Sequence, residues 1–511
     1  MYAHAERDVR AALSGIVAVG TGVAAGELVA LVVSPFASPY HAVGAFLVDH
    51  APAWAREFAI DRFGTNDKPA LLIGIAVAML VLAAVAGLVQ VRRPPWGLAV
   101  IVGFVVVAIT AALTRPTVRA LYVAPALVSG IVAGVVLVVL CRGATPRSDE
   151  SPTDTGWSRR RFLGAVGVLA VASAVGAVVV RQVGRAGGVV AERMRLALPA
   201  PRTTAAAVPD GADVTLPGAT PFMTDNATFY RIDTALQVPQ LSTRDWQLRV
   251  HGMVDRELTL GWDDLMAIPA VERIITLTCV SNEVGGDLAS NARWLGIPMT
   301  EILSRVGVHD DADMLLSTSV DGWTSGTPIS AITDGRDAML AFGMNGTPLP
   351  LEHGYPVRQV VPGLYGFVSA CKWVVDWEIT RFDRAEAYWT KRGWGVQAPI
   401  KTASRIDRPA PLSQHPPGRI VVAGTAWAQH RGIRGVEVRV DDGPWEPATL
   451  ATEYSKDTWR QWMWGWDATP GQHTLYCRAT DDTGAVQPER RVAPIPDGAT
   501  GWHSRVFRID Q

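Results

Sequence analysis

The chain has 511 residues, of which 49% are hydrophobic and only 19% charged, with 47 basic and 48 acidic side chains. This near-neutral balance excludes a strongly basic nucleic-acid-binding protein, so no nucleic-acid partner is expected. The four cysteines, Cys141, Cys279, Cys371 and Cys477, are too few and too scattered for a disulfide framework or a CxxC metal site. Length alone predicts about three domains, at roughly 150 residues each.

The low charge belongs to one part of the chain. Residues 1–180 contain 14 basic and 10 acidic side chains, whereas the remaining 331 residues contain 33 and 38. The first part is therefore membrane-like in composition, and the second resembles an ordinary globular protein. We predict a membrane region over residues 1–182, followed by a globular part.

Five apolar runs reach or approach the roughly 20 residues that a bilayer span requires. From Ala70 to Cys141 there is no Asp, Glu or Lys. We interpret the runs as transmembrane helices rather than as buried core helices, because soluble cores do not stay uncharged over such lengths. Glu27, the one acid inside a run, is interpreted as a tolerated residue near a helix end. The five predicted spans are 12–33, 70–91, 97–113, 119–141 and 162–180.

The string SRRRFLG at 158–164 precedes the fifth run and resembles a twin-arginine export signal. The alternative is the basic flank that many membrane helices carry at their cytoplasmic end. With Arg159, Arg160 and Arg161 inside, five spans place the chain from residue 181 outside, although Arg115 and Arg119 weaken the charge contrast. No A-x-A-like cleavage site follows, so the fifth helix is predicted to remain as an anchor. The sequence thus predicts a multi-pass protein of the cell membrane with its globular part on the extracytoplasmic side.

Haem is not expected in this chain. Residues 51–250 contain no His, and the sequence has no CxxCH string. A membrane haem usually needs axial histidines. Electrons would therefore have to reach the globular part through a separate carrier.

The globular part is predicted to contain two domains after a linker at 183–220. Over 221–405, strand-like runs at 246–254, 273–280 and 314–320 alternate with helix-like pieces, which indicates an α+β domain. A proline-rich joint at 409–417 is followed by short runs of period-two alternation. These predict a β-sandwich over 406–511.

The string WRQWMWGW at 459–466 places Trp462, Trp464 and Trp466 on one face of a strand. Such a face can serve as a ligand platform. Sandwich core or a subunit interface is the favoured interpretation, because aromatic faces dominate both.

Two segments contain candidate site residues. Cys279 ends the apolar run IITLTC before a polar loop, where a thiol can act as a nucleophile or soft metal ligand. By itself, a lone cysteine is more often a small buried hydrophobe. In the glycine- and proline-rich segment 351–373, His353, Arg358 and Lys372 could converge on a phosphate, or could be incidental charges of a solvated loop.

Several strings together resemble the sulfite oxidase family of molybdopterin enzymes. They are TLTCVSNEVGGD at 276–287, NARWLGIPM at 291–299 and AFGMNGTPLPLEHGYPVRQVVPG at 341–363. From Ile406 to the ending GWHSRVFRI the chain is similar to that family's dimerisation domain. The resemblance implies a molybdopterin-binding α+β domain of sulfite oxidase type, an immunoglobulin-like C-terminal β-sandwich that could form a homodimer, and a molybdenum-molybdopterin cofactor.

The resemblance also assigns site residues. Cys279 matches the thiolate that ligates molybdenum, which changes the interpretation of this cysteine. The other matches concern binding of the pterin and its phosphate. They are Phe229, Tyr230, Arg231, Thr324, His353, Arg358, Ser369 and Lys372.

Departures from the family pattern bear on the substrate. Glu283 and Val284 follow Asn282 where sulfite-oxidising members have basic residues, and Trp394 lies near the position of the family's active-site tyrosine. We therefore expect oxygen-atom transfer on a small neutral or cationic organic substrate rather than on sulfite, with a cytochrome or a quinone-linked protein as electron carrier. The alternatives are a sulfoxide reductase of the same fold and a metal-free sensor or scaffold.

Overall fold

The structure is a computed structural model, and it divides the chain into two compact units. The first contains the chain up to Ala191 together with Ala235–Gln240, and the second contains Glu192–Thr234 and the chain from Leu241 onward. The structure describes residues 2–34, 37–52, 54–55, 58, 62–63, 67–114, 120–144, 157–186 and 188–510.

The first unit is helical. Among the residues that the structure describes, five helices are long and apolar enough to cross a membrane, judged by length and composition, and they overlap the five predicted runs. Arg115, Arg119 and residues 145–156 of the predicted inner loop lie outside the described residues. The helices are α1 Tyr2–Val33, α2 Pro39–His50, α3 Asp67–Arg92, α4 Trp96–Leu113, a 3-10 turn Ala120–Val123, α5 Ala124–Ala144 and α6 Arg159–Ala186.

Small residues let the helices of this unit approach closely. At Gly15 of α1 and Gly87 of α3, an added Cβ would overlap the backbone of the facing helix. Close approach at small residues lets the backbones and side chains of apolar helices make many van der Waals contacts. The Gly- and Ala-rich composition of the runs therefore serves helix packing.

The short helix α7, Val189–Arg195, includes the residue at which the second unit begins, Glu192, and this unit contains two sheets with short helices between their strands. The strands are β1 Gln247–Gly252, β2 Leu258–Gly261, β3 Val271–Thr278, β4 Ala289–Pro298, β5 Met314–Ser319, β6 Thr324–Pro328, β7 Met339–Met344, β8 Thr347–Pro348, β9 Arg358–Val360 and β10 Val374–Thr380. The helices are α8 Trp262–Met266, α9 Met299–Val306, α10 Ile329–Thr333 and α11 Gly366–Ser369, with 3-10 turns at Leu351–His353 and Thr390–Arg392.

One sheet has the order β2-β1-β10-β5-β6, and the other has the order β3-β4-β7-β8 with β9 pairing β7. Only the β1–β10 pair is parallel among these strands. Strand β7 is buried along its whole length, as a central strand covered on both faces should be. The mixture of strands and short helices agrees with the predicted α+β class, and β3 and β4 form the hairpin whose connecting loop carries Cys279.

The chain from Ala403 onward forms two further sheets around one apolar core, which makes this part a β-sandwich. Trp462 is fully buried in that core and Trp464 and Trp466 pack against it, so the aromatic run is core rather than a ligand platform. That the sandwich is immunoglobulin-like stays a prediction. The strands are β11 Ala403–Arg408, β12 Gln414–His415, β13 Gly418–Trp427, β14 Ile433–Val440, β15 Glu446–Pro447, β16 Thr449–Leu450, β17 Arg460–Ala468, β18 Gly471–Asp481 and β19 His503–Ile509, in the orders β11-β13-β17-β16 and β12-β19-β18-β14-β15.

Part of the segment predicted as a linker, 183–220, lies along the second unit. The Arg202 amide donates to Ala270 O at 2.7 Å, and Thr203 forms a bridge with Val271 of β3. The Val214 amide donates to Gln461 Oε1. Because these contacts use backbone groups, a stretch of Ala, Pro and Thr gives no periodic signal of them. The domain limits drawn from the sequence stay predictions.

Candidate functional site

A cleft in the second unit contains six of the residues that the sequence singles out. It encloses about 890 Å³, counting its open mouth. Six separate chain segments supply its wall. The predicted residues that line it are Phe229, Tyr230, Cys279, His353, Arg358 and Lys372.

Cys279 is held at the start of the β3–β4 loop. Its amide donates to Leu288 O at 2.9 Å, and the Leu288 amide donates to Asn282 Oδ1 at 2.9 Å, which closes the loop on itself. Only 8% of the residue is exposed. Burial raises the pKa of the Cys279 thiol, and hydrogen bonds from Ser281 oppose this effect only in part. A thiolate at this position therefore depends on a positive partner such as a metal ion.

Gly354 allows the two segments that carry the cations to approach. It has a φ of +109°, and an added Cβ would lie 2.9 Å from Arg358 Cβ and 3.2 Å from Lys372 Cβ. The backbones of Arg358 and Lys372 also pair in an antiparallel bridge. A side chain at Gly354 would thus push the two cations apart.

Arg358 is a buried cation held by neutral groups. Its Nη1 donates to His353 O at 3.1 Å, and its guanidinium lies 5.1 Å from the centre of the Trp294 ring. Burial lowers the pKa of Arg358 to about 10, which leaves it charged at neutral pH. Among the described residues it forms no ion pair. Its charge is therefore free to hold an anion in the cleft.

Lys372 is the second buried cation. Its Nζ donates to Asp233 Oδ2 at 2.7 Å and to Glu352 O at 3.1 Å. Burial lowers the pKa of Lys372 to about 8, while Asp233 opposes that change. One cation and one ion pair thus line the same cleft as the thiol.

His353 is a neutral group in this wall. Burial, followed by the neighbouring Arg358 charge, lowers its pKa to about 4. Its Nε2 lies 3.0 Å from Asn226 O, so we assign the ring proton to Nε2. The ring also packs edge-on against Phe229 at 5.4 Å.

This donor set fits an anionic cofactor that carries a soft metal. A buried guanidinium gives the planar donors that suit a phosphate, and a buried thiol suits a soft metal ion. Molybdenum-molybdopterin, the group implied by the resemblance, has both features. The residues present therefore fit it.

Three predicted cofactor residues do not line the cleft. Arg231 is exposed and pairs with Asp233 at 2.8 Å. The Thr324 hydroxyl accepts from the Tyr388 amide at 2.9 Å. The Ser369 hydroxyl is buried and donates to Leu364 O and Tyr365 O. Each of these polar groups is engaged with the protein itself, and their role toward a cofactor stays a prediction.

The cleft also contains residues that sequence reasoning missed. Asp233 and Trp323 lie one or two positions from predicted site residues. The sequence does not show which of these neighbouring side chains points into the cleft. Asp321 and Trp389 carry no motif of their own. Trp394, identified from the family comparison, lines the cleft, whereas Glu283 and Val284 do not.

Comparison with known proteins gives a consistent result. Residues 235–389 match the oxidoreductase molybdopterin binding domain. Mitochondrial sulfite oxidase of Rattus norvegicus is 29% identical over 331 residues, covering 54% of this chain and 58% of that protein. The uncharacterized oxidoreductase YuiH of Bacillus subtilis (strain 168) is 32% identical over 152 residues, covering 30% of this chain and 73% of that protein. The chain thus spans somewhat more than half the length of the mammalian relative.

A solved structure shares the fold. The sulfane dehydrogenase SoxCD of Paracoccus pantotrophus superposes with a TM-score of 0.50 at 23% identity, covering 57% of this chain and 84% of that one. At this identity the likeness concerns the fold alone.

Proposed function

Because the chain belongs to the sulfite oxidase family of molybdopterin oxidoreductases, we propose that it uses molybdenum-molybdopterin for oxygen-atom transfer on a small organic substrate. The observation that supports this most is the convergence of the Cys279 thiol with two buried cations on one cleft. We include in the proposal that the enzyme is anchored in the cell membrane with this cleft on the extracytoplasmic side.

The chain's own residues would bind and orient the cofactor. Arg358 and Lys372 would hold its phosphate, and Phe229 and Tyr230 would lie along its ring system. Cys279 would be the protein's ligand to the metal. When bound, the cofactor supplies a redox-active centre that exchanges electrons and an oxygen atom with the substrate. His353, uncharged at neutral pH, would add a hydrogen-bonding group without adding charge.

The charges of the cleft favour a substrate other than sulfite. Arg358 and Lys372 are the only cationic side chains among the described residues that line it, since His353 is neutral. If both serve the cofactor phosphate, none is left for an anionic substrate. The remaining wall is largely aromatic, so a neutral or cationic organic molecule is the better fit.

A separate electron carrier, such as a cytochrome or a quinone-linked protein, completes the proposed reaction. The sulfite oxidase resemblance of the sandwich supports a homodimer through that domain. The five apolar helices support a membrane anchor.

Elemental analysis of the purified full-length protein tests the enzyme proposal. We expect molybdenum in the parent protein, and its loss in Cys279→Ser. The matched control is Cys477→Ser, because Cys477 is also a buried thiol and lies in the sandwich core. Absence of molybdenum in the exported parent protein, or equal content in Cys279→Ser, would favour the metal-free sensor or scaffold instead.

A sulfoxide reductase is the second candidate, supported by the aromatic and largely uncharged wall of the cleft. It predicts oxidation of a reduced dye by the molybdenum-loaded protein in the presence of sulfoxides. No turnover on a panel of alkyl and aryl sulfoxides would count against this direction of catalysis.

A further inference from the structure

Four tryptophans line the cleft that contains Cys279; Trp373 is fully buried, and the other three come from two distant segments. Trp323 lies at the tip of the β5–β6 hairpin, and Trp389 and Trp394 flank the 3-10 turn that follows β10. Phe367 of α11 lines the same cleft. We call Phe367 and the three tryptophans other than Trp373 the aromatic recess.

The rings of the recess meet at angles instead of stacking flat. Trp389 and Trp394 lie 6.1 Å apart at 72°, and Phe367 and Trp394 lie 5.8 Å apart at 53°. The three tryptophans are only half-buried. Ring surface therefore remains available to a ligand in the cleft.

Hydrogen bonds fix the loop that carries two of these rings. The Trp394 amide donates to Trp389 O at 3.2 Å, and the Arg392 amide donates to the same oxygen at 2.9 Å. The Gly395 amide donates to Pro496 O at 3.0 Å. A binding surface fixed in advance loses little entropy when a ligand binds.

Thr324 joins the loop to the hairpin. Its hydroxyl accepts from the Tyr388 amide, which places Trp389 beside the strand that begins next to Trp323. Trp323 is fixed in turn, because its amide donates to Asp321 Oδ1 at 3.1 Å and its carbonyl accepts from the Ser319 amide at 2.8 Å. The recess is therefore one preformed structure, in which hydrogen bonds join the loop to the hairpin and Phe367 packs against Trp394.

The charge of the cleft decides which ligand suits this recess. Among its described lining residues, the cations Arg358 and Lys372 are matched by the carboxylates Asp233 and Asp321. A bound cofactor with a phosphate group makes the net charge of the cleft negative. A cation in the cleft is then attracted, and an anion is repelled.

We propose that the aromatic recess is the substrate-recognition subsite and that it binds a small methylated organic cation, such as a quaternary ammonium or sulfonium group. Trp faces attract such cations through their ring quadrupole, and methylated cations lose less hydration than a primary ammonium when they enter an aromatic cage. The cationic group would hold the substrate in the cleft that also contains Cys279, the proposed ligand to the metal. This inference rests on the proposed function, because the negative charge of the loaded cleft comes from the cofactor.

Choline and neohexyl alcohol test the inference, because the alcohol is the uncharged carbon isostere of choline. Binding to the full-length holoprotein in detergent is measured by calorimetry, with sulfate as the anionic probe. We expect choline to bind at least about tenfold more tightly than the isostere, and sulfate not to compete. Equal binding of choline and its isostere would overturn the proposal.

Variants of one ring separate cation binding from simple packing. Choline affinity should fall about threefold in Trp394→Phe and about tenfold in Trp394→Leu, following the weaker quadrupole of Phe and its absence in Leu. Trp445→Leu is the matched control, because Trp445 is a half-buried tryptophan of the sandwich, packed 4.9 Å from Trp502. Unchanged choline affinity in Trp394→Leu, or an equal loss in Trp445→Leu, would contradict the assignment.

Molybdenum content of the same preparations separates this inference from the proposed function. If the metal is present and choline has no advantage over its isostere, the recess assignment fails and the proposed function stands. If the metal is absent, the proposed function fails, and the recess assignment fails with it, because the negative charge of the cleft depends on the bound cofactor. Loss of the metal in Trp394→Leu would indicate a folding defect, in which case Trp394→Phe decides.

Discussion

At the residue scale, Gly354 is the position on which the two buried cations depend. Replacing it by Ala adds a Cβ at a φ of +109° and 2.9 Å from Arg358 Cβ. We expect Gly354→Ala to lower the free energy of unfolding by about 1–3 kcal/mol and to reduce the molybdenum content. Denaturant unfolding and elemental analysis of the purified protein measure the two effects.

Gly335→Ala is the matched control for this change. Gly335 has a φ of +91°, but no atom lies within 4 Å of an added Cβ, so the variant reports backbone strain without a clash. It should lose stability and keep its molybdenum. An equal loss of metal in both variants would show that contact with Arg358 and Lys372 is not the reason.

His353 gives a pH dependence of stability to the cofactor-free protein. The pKa of His353 is about 4 in the folded chain against 6.5 for the free side chain, so the unfolded chain binds more protons between these values. Stability is therefore full above about pH 6.5 and falls as the pH drops toward 4. The fall is at most about 3 kcal/mol, since a tenfold change in proton affinity corresponds to about 1.4 kcal/mol.

His353→Gln should remove this part of the acid-induced loss of stability. Fluorescence in urea is a suitable measure, because 15 of the 18 tryptophans follow residue 180. Burial lowers the pKa of His503 to about 3. His503 therefore adds a second loss of stability on acidification, which extends to a lower pH than the loss caused by His353. His503→Gln should therefore leave the His353 contribution in place. If the free energy of unfolding falls with the same slope between pH 6.5 and 4 in His353→Gln and in the parent, the assignment to His353 is contradicted.

At the element scale, the sandwich holds the hairpin that carries Cys279. Gln429, between β13 and β14, donates from Nε2 to Thr278 Oγ1 at 2.8 Å and to Thr276 O at 3.2 Å. The Trp459 amide donates to Thr276 Oγ1 at 2.8 Å, and Arg405 Nη1 donates to Gly286 O at 2.7 Å. Strand β3 and the loop after Cys279 are thus both fixed from the sandwich.

Gln429→Leu should lower the free energy of unfolding by about 1–3 kcal/mol, because it leaves buried acceptors on β3 without a donor. It should also lower the molybdenum content, since the unsupported strand ends at Cys279. Thermal unfolding and elemental analysis measure these effects.

Gln487→Leu is the control, because Gln487 is equally buried but bonds within the sandwich to Ser404 and Gly501. It should lower stability to a similar degree and retain the metal. The same metal loss in both variants would mean that general stability, not support of β3, sets the metal content.

At the scale of the whole molecule, the arginine pair at the start of α6, Arg159 and Arg160, is predicted to direct export. Exchange of both Arg159 and Arg160 for Lys keeps the positive charge, so the charge-based orientation of the helices is unchanged. If the twin-arginine interpretation is right, the second unit should no longer become accessible to protease added outside the cell. Immunoblotting of treated cells measures this.

The matched control exchanges Arg92 and Arg93, an arginine pair at the end of α3, for Lys. Protease accessibility should stay at the parent level in this variant. Normal accessibility in the Arg159→Lys, Arg160→Lys protein would instead favour the interpretation of a basic helix flank.

Local sequence patterns were sufficient to predict much of the architecture. Apolar runs of bilayer length, alternation over five to ten residues and the order of the motifs predicted five helices, an α+β part and a two-sheet part, because each signal depends on neighbouring residues. The family motifs also assigned Cys279, His353 and Arg358 to one site, and these three residues line one cleft in the structure. These residues lie in or beside the tight turns that their glycines and prolines produce.

The direction of individual side chains was decided by the tertiary structure. Arg231 and Asp233 lie two residues apart in an irregular segment, and only the carboxylate reaches Lys372 and the cleft. Thr324 and Trp323 are adjacent, yet one anchors a loop and the other lines the cleft. The sequence by itself determined which chemistry the chain contains and where its apolar helices lie. Which side chains share the cleft depends on packing between segments far apart in the chain, and no local periodicity encodes that.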